Sequence, residues 1–174
     1  MRYTILICPL LMASFGRAQT RAHVEASITI DLEAAPAVVL PLFGPLREAE
    51  WAHGWSPVML YPADGRQQAG AVFTTDNNGT DIVWVLTRFD ERALEVQYVQ
   101  VLPKVWAGEI LIRAKDSGKG HTQATVTYCR TALSAEADSG VKVFGRHFPE
   151  QREHWQNAIN QRLKAMEEQR GQHN

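Results

Sequence analysis

The sequence predicts an α+β domain: a strongly curved antiparallel sheet of about seven strands, with one long C-terminal helix across its concave face. Three observations predict it. Seven strand-like stretches run in series from Val24 to Leu133, a Pro- and Trp-rich helical insert follows the first of them, and an amphipathic segment, Phe144–Met166, closes the chain. Hairpin after hairpin without intervening helices makes a meander, not a βαβ sheet. A bent sheet around a single helix leaves a space lined by large side chains, and a concave, largely apolar space with a few placed polar groups is a ligand pocket.

The first strand alternates cleanly, with Val24, Ala26, Ile28, Ile30 and Leu32 on one side and Glu25, Ser27, Thr29 and Asp31 on the other. Period two with one wet face means one buried surface. Ala34-Ala35-Pro36 then opens a helical insert in which Val39, Leu40, Phe43 and Leu46 recur at helical spacing. Pro41 and Gly44-Pro45 divide it into two short helices, because an internal Pro removes a backbone bond and clashes with the preceding turn. Val58–Tyr61 and Ala71–Thr75 are the next strands, and Asp76-Asn77-Asn78-Gly79 is a hairpin turn. Ile82–Phe89, Leu94–Leu102, Trp106–Ala114 and Thr122–Leu133 complete the sheet. In the final helix Phe144, Phe148, Trp155, Ile159, Leu163 and Met166 form one apolar stripe. Pro149 places the start of its regular part near itself. Between Phe148 and Trp155 the inward slot falls on Gln151 or Arg152, and a cation there needs a partner or a water-filled space.

At 174 residues the chain suits one domain, and its composition is 45% hydrophobic and 21% charged. Net charge is −1 with Lys and Arg scattered, so the basic stripe of a nucleic-acid binder is missing. No stretch approaches the ~20 apolar residues of a membrane span. The N-terminus has the shape of a secretory signal: Met1–Arg2, the apolar run Tyr3–Phe15, and small residues at Gly16 and Ala18 flanking Arg17. Residues 1–18 are therefore expected to be a signal peptide and 19–174 a single domain that works outside the cytoplasm, with no stable membrane anchor after cleavage. Cleavage would remove Arg2 and Arg17, taking 18 basic residues to 16 against an unchanged 19 acidic, a net of −3. The alternative is a cytoplasmic chain that keeps this segment. Of the two cysteines, Cys8 would leave with the signal and Cys129 would stand alone, so no disulfide framework is expected.

The aromatic set is the main functional feature. Trp51, Trp55, Tyr61, Phe73, Trp84, Tyr98, Trp106, Phe148 and Trp155, with Arg152, are the candidate ligand-binding residues. Core packing accounts for any single member. Five Trp in one small domain exceed what packing needs, and a buried Trp N–H wants a partner. Arg88 and Arg130 are further cations: alternation puts them on the Trp84/Leu86 and Val126/Tyr128 sides, where a ligand carboxylate would pair with them, the alternative being that an Arg near a strand end reaches solvent. His147, Glu150 and His154 fall at offsets that share a helical face, but Pro149 breaks the first turn, and a solvated polar face is the expected reading. His53, between two Trp residues, is either a loop histidine or an acid/base at the cavity mouth. No catalytic triad, phosphate loop, HExxH or paired-carboxylate element is visible, so no catalytic residue, metal or cofactor is assigned.

Several stretches carry a resemblance. Glu50-Trp51-Ala52-His53-Gly54-Trp55-Ser56-Pro57, followed by Leu60-Tyr61-Pro62, is similar to a Trp-x-x-Gly-Trp-x-Pro stretch of bacterial SRPBCC proteins. So are Gly70-Ala71-Val72-Phe73, Trp84–Asp90, Tyr98–Val101, Val126-Thr127-Tyr128 before Thr131–Ser134, and Glu153–Ile159 in the terminal helix. Over residues 23–166 the chain resembles the START/Bet v 1-like, or SRPBCC, superfamily. The resemblance implies a helix-grip fold whose internal cavity binds a small hydrophobic or amphipathic molecule. The alternative it implies is a polyketide cyclase/dehydratase-like enzyme using cavity acid/base residues. The superfamily also includes ring-hydroxylating oxygenase domains, but the chain shows neither a Rieske cysteine pattern nor a mononuclear-iron ligand set.

Overall fold

A computed structural model describes residues 20–172; the signal-like run of residues 1–18 lies outside them. Seven antiparallel strands form one sheet in the order β1-β7-β6-β5-β4-β3-β2. They are β1 His23–Leu32, β2 Val58–Tyr61, β3 Ala71–Asn77, β4 Thr80–Asp90, β5 Glu95–Leu102, β6 Trp106–Gly118 and β7 His121–Ala132. Six of them follow the chain as a meander, and β1 closes onto β7 from His23↔Thr131 to Leu32↔Thr122. The expected alternation holds in β1, where Ala26, Ile28, Ile30 and Leu32 are buried. On its outer face, the Ser27 and Thr127 hydroxyls meet at 2.9 Å and those of Thr29 and Thr125 at 3.1 Å. Asn78 and Gly79 take positive φ in the β3–β4 turn, as a two-residue Asn-Gly hairpin requires. Leu94 turns out to be a positive-φ turn residue, so β5 begins one residue later than its hydrophobic pattern suggests.

Because β1 and β2 lie at opposite edges, the chain between them must cross the whole sheet. It does so through α1 (Pro36–Val39), a 3-10 turn over Leu40–Phe43 and another over Glu48–Glu50. Pro36 sits in the first turn of α1, where its missing N–H costs nothing. Val39, Leu40, Leu42 and Phe43 enter the core, which anchors the crossing segment over the concave face.

The C-terminal helix differs from expectation in extent and continuity. Helix α2 (Asp138–His147) begins six residues before Phe144, a 3-10 turn follows at Phe148–Gln151, and α3 (Arg152–Gly171) runs on past Met166. Pro149 cannot donate a helical bond, and the break falls at that residue. The apolar stripe survives the break: Phe148, Ile159 and Leu163 are buried, with Phe144, Trp155 and Met166 packed partly against the same core. A second, smaller cluster of Leu102, Trp106, Ala132, Ala137 and Val141 closes the other end of the sheet.

In β6, a Cβ built on Gly108 would lie 2.0 Å from the Cys129 carbonyl oxygen. Only a residue without a side chain lets the β7 backbone approach that closely, and a glycine inside a strand marks such an approach or a bend.

Candidate functional site

The space between sheet and helix is walled by Phe43, Trp55, Phe73, Trp84, Tyr98, Ile110, Ile112, Val126, Tyr128 and Trp155, with one charged residue, Glu48. The sheet places the floor by register: Phe73 is opposite Trp84, Tyr98 opposite Ile110, and Ile110 opposite Tyr128. The rings then pack as a set. Phe73 and Trp84 stack at 5.5 Å, and each meets Tyr98 edge-on, at 6.0 and 6.1 Å. Trp55 comes down on this group from the crossing segment, with its centroid 5.3 Å from that of Trp84. The cavity measures only about 20 Å³, the room of about one water molecule. In the structure, the rings nearly fill the space they line.

The polar ends of these rings turn to protein groups. Trp55 donates its indole N–H to the Pro45 carbonyl at 2.7 Å, Trp51 to Leu42 at 2.8 Å, and Trp84 to the Thr75 hydroxyl at 2.9 Å. Tyr98 donates to the Phe43 carbonyl at 2.8 Å, tying the floor to the crossing segment. Burial pushes the Tyr98 and Tyr128 phenols well above their ordinary range, and the Glu48 carboxylate nearby pushes both further.

Glu48 and Glu50 share one 3-10 turn and face opposite ways. Glu50 pairs with Arg47 and, at 2.7 Å, with Arg162. Glu48 has no ion pair among the described residues, and burial alone pushes its carboxyl from 4.5 up to about 8. It is therefore largely neutral at neutral pH, and a neutral carboxyl both donates and accepts a hydrogen bond. Glu48 is not among the site residues that the sequence predicts. The available signal was Glu-x-Glu in an apolar, Trp-rich crossing segment, which does not say which carboxyl points inward.

The structure brings Trp55, Phe73, Trp84, Tyr98 and Trp155 together at the cavity. Trp51 and Phe148 stand one layer behind, against Trp155 at 5.3 and 6.1 Å. Three candidates lie elsewhere. Tyr61 is 57% exposed on β2, an edge strand. Trp106 belongs to the second cluster, because β6 carries it beyond the cavity row. Arg152, expected at or beside the cavity, lies outside it: its side chain is 60% exposed, donating to the Thr29 carbonyl at 2.9 Å and facing Asp31 at 4.0 Å. The Pro149 break re-phases the helix between Phe148 and Trp155, so the slot read from a continuous helix does not exist. Arg88 likewise pairs outward with Asp90 and Glu95. His53 is exposed on its loop, and His147 pairs with Glu150 at 3.0 Å, also exposed.

One buried polar group was not anticipated. Gln100 on β5 is 0% exposed, and neither end of its amide has a hydrogen-bond partner among the described residues. It lies in the inward row between Trp84 and Gly108.

No protein-family model matches the sequence, and no curated protein matches it. Solved structures do. Norcoclaurine synthase from Thalictrum flavum, in complex with dopamine and hydroxybenzaldehyde, superposes with a TM-score of 0.63 at 9% identity, covering 95% of this chain and 98% of that one. The Zhui aromatase/cyclase from Streptomyces sp. R1128 gives 0.59 at 15% identity, over 82% and 94%. Ara h 8.0201 gives 0.57 at 12% identity, over 83% and 99%. At these identities the likeness is one of fold.

Proposed function

We propose that this chain, which has the helix-grip fold of the SRPBCC or Bet v 1-like superfamily, binds a small, flat, aromatic or amphipathic molecule between sheet and α3, with Glu48 as its polar anchor. The observation that carries the reading is a single unpaired carboxyl set into a wall of aromatic and aliphatic side chains. Such a wall stacks a flat apolar body, and the one polar group fixes its orientation. The named neighbours support the ligand class, since one holds dopamine and hydroxybenzaldehyde and another is an aromatase/cyclase.

A ligand of ordinary size needs roughly 300 Å³ or more, so binding requires the wall to open. Trp55 is the movable part. It sits on the segment between the 3-10 turn at Glu48–Glu50 and β2, beside Gly54 at positive φ, and one hydrogen bond to Pro45 holds its indole. A second reading, a cyclase- or dehydratase-like enzyme, is favoured by Glu48 alone: a carboxyl at about 8 is poised to give up a proton near neutral pH.

Titration of tryptophan fluorescence with fatty acids, sterols and aromatic polyketides tests both. A saturable change is expected with one class, and Glu48→Leu should weaken it by about 0.5–1.5 kcal/mol, the net worth of one hydrogen bond. No change with any class, or the same affinity in the variant, overturns the reading. Recovery of the ligand unaltered identifies a carrier, and an altered product identifies the enzyme.

A further inference from the structure

We propose a second binding site next to the Glu48 cavity, across Tyr128 where β6 begins and β7 ends, in which Arg130 receives the carboxylate of a small molecule with an apolar body. A cavity of about 320 Å³ lies there, lined by Trp106, Arg130, Val141 and Phe144 among others, and it shares no lining residue with the Glu48 cavity. Its size falls in the range that small-molecule sites occupy, about 300–1,000 Å³.

Arg130 is held there as a ready cation. Its guanidinium carbon lies 4.1 Å from the ring centre of Trp106 and 3.6 Å from that of Phe144, so two aromatic faces fix the plane of the fork. Stacking leaves the edge of a guanidinium free, and the edge is where bidentate carboxylate bonds form. None of the ion pairs among the described residues includes Arg130, and its buried Nε has no hydrogen-bond partner. The other two arginines of the strands, Arg88 and Arg113, both pair with Glu95. Burial draws the Arg130 guanidinium down to about 10, which leaves it charged at neutral pH.

The surroundings narrow the ligand class. Val105, Ala137, Val141 and the two rings offer an apolar body to pack against. Ser139 and Gly140, in the first turn of α2, lie on the same wall, and the unpaired amides of a helix start add to the attraction for an anion. Glu136 also lines the cavity; it is exposed, with its carboxylate held low by its own backbone amide and by Ser134. One cation beside one rim carboxylate suits a monocarboxylate and disfavours a polyanion.

The probe is octanoate, with octanamide as its uncharged counterpart, each titrated into the full chain and followed by amide and indole NMR shifts. Octanoate should shift the Ser139 and Gly140 amides and the Trp106 indole saturably, and octanamide should bind about tenfold more weakly. Arg130→Gln should weaken octanoate by a similar factor. Equal binding of the two probes, shifts confined to the Glu48 cavity, or no shift at all overturns the proposal. The octanoate–octanamide comparison uses the unaltered protein, so it decides the matter even if Arg130→Gln fails to fold. The Ser139, Gly140 and Trp106 signals report this site alone, whether or not octanoate also enters the Glu48 cavity.

Discussion

Glu48 and Glu50 lie two residues apart, and their different fates show how little separates a surface carboxylate from a functional one. Glu50 is satisfied by Arg47 and Arg162, whereas Glu48 turns inward to aromatic and aliphatic side chains and loses its charge. Arg152 went the other way. In the structure its guanidinium caps the Thr29 carbonyl in solvent, 60% exposed. Removing one exposed hydrogen bond costs little, so Arg152→Ala should lower stability by no more than about 1 kcal/mol and leave affinity for any cavity ligand unchanged. Denaturant melts and a fluorescence titration of the two proteins check this. A loss of affinity in the variant would return Arg152 to the cavity.

At the scale of elements, Arg152 belongs to a ladder. Arg152, Gln156 and Asn160 recur every four residues along α3, one above another on the same helical face. Each reaches the unpaired edge of β1. Arg152 donates to the Thr29 carbonyl, Gln156 accepts from the Asp31 amide at 3.0 Å, and Asn160 both donates to the Asp31 carbonyl at 3.1 Å and accepts from the Glu33 amide at 2.9 Å. Strand β1 ends the sheet, and its free backbone groups would otherwise be a template for pairing with another chain. The helix thus grips the sheet by its edge as well as by its apolar stripe. Asn160→Ala removes two of these bonds and should cost about 1–2 kcal/mol. Faster hydrogen exchange at the Glu33 amide, which donates to Asn160, with the Asp31 amide still held by Gln156, is the expected signature. Unchanged exchange at Glu33 would show that the helix docks through its stripe alone.

Across the whole molecule, the buried Glu48 couples stability to pH. The folded state keeps a proton that an unfolded glutamate gives up, from 4.5 to about 8. The stability this group contributes is therefore full below 4.5 and is lost as pH rises through about 8, at up to roughly 1 kcal/mol per pH unit. Melting temperature should fall across about pH 5–9 in the wild type relative to Glu48→Gln, which has no such proton to lose. Parallel profiles for the two proteins would place the Glu48 carboxyl in water.

Patterns with a short period were legible in the sequence. The alternation of β1, the Asn-Gly turn, the run of hairpins and the terminal apolar stripe depend on residues a few positions apart, and each arises from local geometry. They determined the curved seven-stranded sheet, its C-terminal helix and the identity of most rings between them. The inward direction of Glu48, the placement of Trp106 and Arg130 in a neighbouring pocket, and the outward turn of Arg152 depend on how the crossing segment and the broken helix dock. Those choices rest on contacts between residues tens of positions apart: Tyr98 with Phe43, Arg162 with Glu50, and Asn160 with the edge of β1. No local period encodes such a contact, so only the tertiary structure decided which polar group faces the cavity.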